Sequence, residues 1–129
     1  MQQKNLAVIL ARDLAEKLAT AAFVVDNEGR LVYFNETAGM LLGQDYSSVG
    51  SMPMSEWSTG FDATDTDGSV LDPDNIPLVQ AIKERGPRHR RLRITGRDDV
   101  QREIEVTAIP LFARADELVG AVAFFWEGE

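Results

Sequence analysis

Few residues of this 129-residue chain have the means to do chemistry, and they do not stand in a catalytic spacing. There is one imidazole, His89, and no cysteine. Serine nucleophile chemistry would need His89 as its base, and no serine stands in a Gly-x-Ser-x-Gly turn. The run Asp65-Thr66-Asp67-Gly68 has the look of part of a calcium loop. Setting Gly68 at the sixth position of such a loop puts Ala63 where the first ligand belongs and Asp74 where a Glu should clamp the ion. The run therefore reads as an acidic turn. Asp98 and Asp99 fall in an expected hairpin turn, and neither a Gly-x-Gly-x-x-Gly nor a phosphate-loop pattern is present. Nothing argues for catalysis, so the expected class is a binding protein and not an enzyme.

Charge narrows the partners. The formal net charge is −8, which disfavours nucleic acid, because the phosphate backbone rewards Lys and Arg. Residues Asp26–Asp74 hold ten acids and one base, Arg30, whereas Arg85–Arg102 holds seven arginines, four of them clustered at Arg88, Arg90, Arg91 and Arg93. That cluster is either the solvated face of a strand offsetting the acidic half or a patch for an anion or partner.

A chain of this length makes one domain and buries roughly two-thirds of its unfolded surface without staples. The lack of cysteine excludes disulfides, thiolate metal sites and thiol catalysis, and fits a cytoplasmic setting. No apolar run approaches the ~18 residues that would span a bilayer. The N-terminus lacks the apolar core and cleavage site of a signal peptide. The expectation is a soluble, intracellular protein that does not engage a membrane.

The elements follow from periodicity. Asn5–Thr20 reads as a helix with Ala7, Leu10, Ala11, Leu14, Leu18 and Ala21 on one stripe. Val8 and Ile9 lie off that stripe, as a second packing partner would require. Ala22–Val25 and Leu31–Phe34 read as antiparallel strands joined by the turn Asp26-Asn27-Glu28-Gly29. Asn35 then caps a helix that Gly43 ends. Residues 44–74 are broken by Gly, Ser, Asp and Pro but carry Val49, Met52, Met54, Trp57 and Phe61, which suits short helical turns. A helix over Ile76–Arg85, with Pro77 in its first turn, is stopped by Gly86-Pro87. Period-two strands follow: Arg88 onward, Ile104–Ala108, and Val119–Trp126. The first and last strands are apolar on both faces, so both faces need a cover.

The stretches FVVDNEGRLVYFNETAGMLLG, DGSVLDPDNIPLVQAI and REIEVTAIPLFARADELVGAVAFFW, in this order, make essentially the whole chain resemble a PAS domain. The resemblance implies an α+β fold: a five-stranded antiparallel sheet of order 2-1-5-4-3, with helices closing one face over an apolar cavity. It also implies signal input and dimerisation through the N-terminal helix. Residues 1–20 would be that capping and dimerisation segment, and 21–129 the PAS core.

The resemblance also frames the cofactors. Light-sensing members carry a Cys that attacks the chromophore, and this chain has none. Haem-binding members usually supply a His from the helix matching Ile76–Arg85, which contains none, leaving His89 on the following strand. Non-covalent flavin would need Trp57 or Trp126 as a stacking partner. What is left is an apolar small molecule, or a cavity filled by its own side chains.

The expected cavity residues are Phe23, Val25, Leu42, Val79, Ile82, Leu92, Ile94, Ile104, Val106 and Phe124, with the faces of the two central strands undetermined. The expected homodimer contacts are Ala7, Ile9, Leu10, Leu14 and Leu18. The function expected is a signalling domain that binds a small apolar ligand or a partner and relays the change through a homodimer. The alternative is a ligand-free interaction module of a kinase, cyclase or transcription regulator. The chain reads either as a segment of such a protein or as a stand-alone bacterial regulator.

Overall fold

The local signals at the start of the chain each have a contact behind them in the computed structural model, which describes residues 6–60, 62–96, 98–114 and 116–128. Strands β1 (Ala21–Asp26) and β2 (Leu31–Phe34) pair antiparallel, with Phe23 opposite Phe34. In the turn between them, Asp26 Oδ1 accepts from the amides of Glu28 and Arg30 at 2.9 and 3.0 Å. Gly29 there has φ +82°, and a Cβ at that position would lie 2.8 Å from Met54 Sδ. Asn35 Oδ1 accepts from the Ala38 amide at 3.0 Å and so caps α2 (Glu36–Leu42), which ends at Gly43 in the left-handed conformation.

Three further strands complete the sheet: β3 (Arg88–Thr95), β4 (Gln101–Arg114) and β5 (Glu117–Glu127). All neighbours are antiparallel, in the expected order β2-β1-β5-β4-β3. β4 runs well past the expected Ala108, through Pro110. Pro110 lies beyond the end of the β3 pairing at Ala108 and has β5 alone as a partner strand, the edge-like setting in which a proline is tolerated.

One face of the sheet is covered by α2, two short helices in the broken region, α3 (Tyr46–Val49) and α4 (Met54–Gly60), and α5 (Pro77–Glu84). A 3-10 turn at Pro73–Asn75 precedes α5. The stop of α5 falls at Arg85, φ +58°, and not at Gly86. The Arg85 guanidinium lies 5.3 Å from the Phe112 ring centre and also donates to the Asp116 carbonyl, contacts that hold this residue in a conformation glycine would adopt more readily.

The other face is covered by the N-terminal helix α1 (Leu6–Lys17), as the double-sided apolarity of β1 requires. Its orientation departs from the expected stripe. Val8 and Ala15 are the buried residues, flanked by half-buried Ala7, Ala11 and Leu18, while Leu10 and Leu14 are 58% and 54% exposed. The helix carries two adjacent apolar stripes, and the one with smaller side chains lies on the sheet. Gly120 admits it: a Cβ there would meet Val8 Cγ2 at 2.7 Å. Val8, expected off the packed stripe, is thus central to it. Asn5, Phe61 and Arg97, which entered the sequence reading, lie outside the described residues.

Candidate functional site

The inner face of the sheet and its helices do not close completely. Between them lies a cavity of about 90 Å³. Phe23 of β1, Leu42 of α2, Leu92 and Ile94 of β3, and Ile104 and Val106 of β4 line it, so six of the ten expected residues come together there. Val25 and Val79 are buried in the surrounding core, and Ile82 packs against it half-buried, none of them reaching the open volume. Phe124 requires a correction. It pairs with Ala22 on the outer face, and the ring at the cavity is Phe125, opposite Ala21. Alternation along β5 could not settle this, because both its faces are apolar.

The sequence reading missed the wall made by α4 and the start of α5. Trp57, Ser58, Ala63, Ile76, Pro77 and Leu78 close the cavity from that side, and Ala123 of β5 completes the floor. The hint available was Trp57 itself, an aromatic in a broken polar stretch. Its ring meets Phe23 edge-on at 5.4 Å, and Phe23 in turn stacks on Phe34 at 5.9 Å. The indole Nε1 donates to the Gly29 carbonyl at 2.6 Å, which fixes α4 to the β1–β2 turn.

A strap over 62–71 borders the cavity at the sheet edge. Thr64 and Arg93 exchange backbone hydrogen bonds at 2.9 and 2.8 Å, and Asp65 forms a 2.7 Å ion pair with Arg90. The acidic turn therefore spends its oxygens on structure. Asp65 Oδ1 accepts from the Thr66 amide, and Asp67 Oδ1 from the amide and hydroxyl of Ser69, which holds the Asp67 carboxyl below its usual range.

The other clustered arginines are likewise matched with acids: Arg88 with Glu84, Arg91 with Glu105 at 2.5 Å, and Arg93 with Glu103 at 3.6 Å. Of the two readings of the cluster, this is the charge-paired strand face. Glu105 also lies 2.8 Å from His89 Nε2, and Arg91 first, then His89, lowers its carboxyl pKa. His89 Nδ1 is 2.7 Å from Thr107 Oγ1, and Trp126 lies beside the ring. His89 and Trp126 are thus exposed residues of the outer side, away from the cavity.

The site does not fit haem or flavin. Ligand pockets for such groups are about 300–1,000 Å³, several times the volume here. Among the described residues no imidazole lines the cavity, and its one side chain with an uncommitted polar group is Ser58.

The elements on the two faces are bridged by Asn35, which is 3% exposed. Besides capping α2, its Oδ1 accepts from the Ala22 amide at 3.1 Å. Its Nδ2 donates to the carbonyls of Ala15 in α1 and Thr20 just beyond it, at 3.0 and 2.9 Å. One amide group thus joins the start of a cavity helix, a central strand and the end of α1.

Comparison with known proteins agrees with this architecture. A family model described as PAS fold matches residues 11–126. Among solved structures the chain is similar to the PAS domain of an HTR-like protein from Haloarcula marismortui, at 19% identity, 91% of this chain, 88% of that one and a TM-score of 0.61. It is similar to the PAS domain of BvgS from Bordetella pertussis, at 18% identity, 94% and 84% coverage and a TM-score of 0.59. A Rhodobacter sphaeroides LOV protein matches at 15% identity, 92% and 66% coverage and a TM-score of 0.70. At these identities the likeness is one of fold. No curated protein matches the chain.

Proposed function

This chain belongs to the PAS fold family, and on that premise we propose that it is a non-enzymatic sensory domain whose cavity takes a small apolar ligand. One observation carries the reading: an apolar cavity on one face of the sheet is joined by the buried Asn35 amide to the helix on the other face. A ligand that favours one placement of α2 biases the same hydrogen bonds that hold the end of α1, which is a population shift. Typical couplings of this kind are about 1–3 kcal/mol.

The proposed output is a homodimer through residues 1–20, with 21–129 as the sensing core. The exposure of Ile9, Leu10 and Leu14 on α1 supports this surface; Ala7 and Leu18 are partly covered by the chain's own sheet and contribute less. The proposed setting is cytoplasmic, feeding a signalling effector domain or a partner protein. Native mass spectrometry and an absorption spectrum of freshly purified protein test the ligand. A small added mass without a visible band agrees with the reading, whereas a haem or flavin band refutes it. Light scattering of Leu14→Glu tests the output: a monomer is expected, and an unchanged dimer removes α1 from the interface.

The small size of the cavity favours a second reading, a ligand-free dimerisation module. It predicts no bound mass and no change in melting temperature with any apolar probe.

A further inference from the structure

Only two polar residues are buried among those described, Asn35 and Ser58. Asn35 makes four hydrogen bonds. Ser58, at 8% exposure, has none from its hydroxyl to any described residue, although its neighbours on α4 are satisfied: Trp57 by the Gly29 carbonyl and Thr59 by that of Ser55. The hydroxyl is not shut off among protein atoms, since the sealed side-chain polar atoms without a partner among the described residues are Gln44 Nε2 and Arg90 Nε, so it keeps an open side on which a ligand group can bond. Ser58 lines the cavity, where every other lining side chain is apolar or, in Trp57, already bonded.

We infer that the Ser58 hydroxyl is the anchor for the polar end of the ligand, and that the ligand is a small neutral molecule with one hydrogen-bonding group, such as a short-chain alcohol or carbonyl compound. This rests on the reading of the cavity as the ligand site. Volume sets the size. A cavity of about 150 Å³ accepts benzene, so by proportion about 90 Å³ has room for about three or four heavy atoms. Chemistry sets the charge. A carboxylate or ammonium held there would lose water on its apolar sides and find no opposite charge among the described lining residues, which disfavours an ion. The hydroxyl both donates and accepts, so it serves an alcohol or a carbonyl equally.

The test uses propan-1-ol, acetate and xenon. Binding of the alcohol and of acetate is followed by Trp57 fluorescence in protein carrying Trp126→Phe, and xenon by its NMR shift. Propan-1-ol should bind, acetate, of the same number of heavy atoms, should not, and xenon should enter regardless of residue 58. Ser58→Ala should weaken the alcohol about threefold to tenfold, the worth of one net hydrogen bond, and leave xenon unchanged. Ser58→Cys, a weak donor of similar size, should behave like Ser58→Ala, and xenon uptake reports that each variant is folded. Equal alcohol affinity in all three proteins, with xenon still bound, overturns the anchor while sparing the cavity. Acetate binding as tightly as the alcohol overturns the neutral ligand. Exclusion of both xenon and the alcohol from the wild-type protein overturns the cavity reading itself.

Discussion

Against the inner face of the sheet lie Phe23, Phe34 and Trp57, large rings in stacked and edge-on contact that leave a space beyond them. Against the outer face lie Val8, Ala11 and Ala15, small side chains of which Val8 sits over Gly120. Both faces are apolar, so hydropathy alone does not separate their roles. Side-chain size does. Rings pack at a few fixed angles and leave gaps that a guest can fill. Small residues bring backbones close, and a close-packed contact passes on a displacement instead of absorbing it. In the proposed function the inner face receives and the outer face responds.

Asn35, which serves both faces, gives the largest expected effect. Asn35→Ala strands the Ala22 and Ala38 amides and the Thr20 carbonyl and leaves the Ala15 carbonyl with the Leu18 amide alone, and should lower stability by about 3 kcal/mol in urea unfolding. Gly120→Val strikes the seat of α1 and the neighbouring strand together, because a Cβ there would run into the Val25 carbonyl of β1 as well as Val8 Cγ2. Overpacking there should cost about 2–3 kcal/mol and raise amide exchange in both α1 and β1. Ala123→Val is the inner counterpart. It fills the cavity floor, so xenon uptake should vanish while stability changes by less than about 1.5 kcal/mol.

Leu14→Glu touches neither packed face and should move the urea midpoint little, within about 0.5 kcal/mol, while abolishing self-association. The smallest effect belongs to Glu105. Its folded pKa lies below the unfolded value of about 4.3, so its contribution is present above that pH and is lost as pH falls through the folded value. Glu105→Gln should therefore be slightly less stable than wild type near neutrality, and the two urea midpoints should converge below about pH 4.

The segment from β1 to Gly43 was legible in the sequence because its interactions are local: Asp26 bonds two and four residues on, and Asn35 three. The sheet order followed from the family resemblance and from the double-sided apolarity of β1 and β5. The seating of α1 was not legible, since two apolar stripes at helical spacing look alike until Gly120, more than a hundred residues away, selects the smaller one. Nor was the choice between Phe124 and Phe125, which hangs on the register with β1. The α4 wall, and Ser58 with it, is held by long-range contacts such as Trp57 to Gly29, which no periodicity announces.

The central claim is that filling the cavity is felt by the helix on the opposite face. Hydrogen exchange of the α1 amides, with and without saturating propan-1-ol, measures this directly. Protection across Leu6–Lys17 should change about fivefold or more, the low end of typical couplings. Trp57 fluorescence reporting an occupied cavity while α1 exchange stays the same would contradict the account.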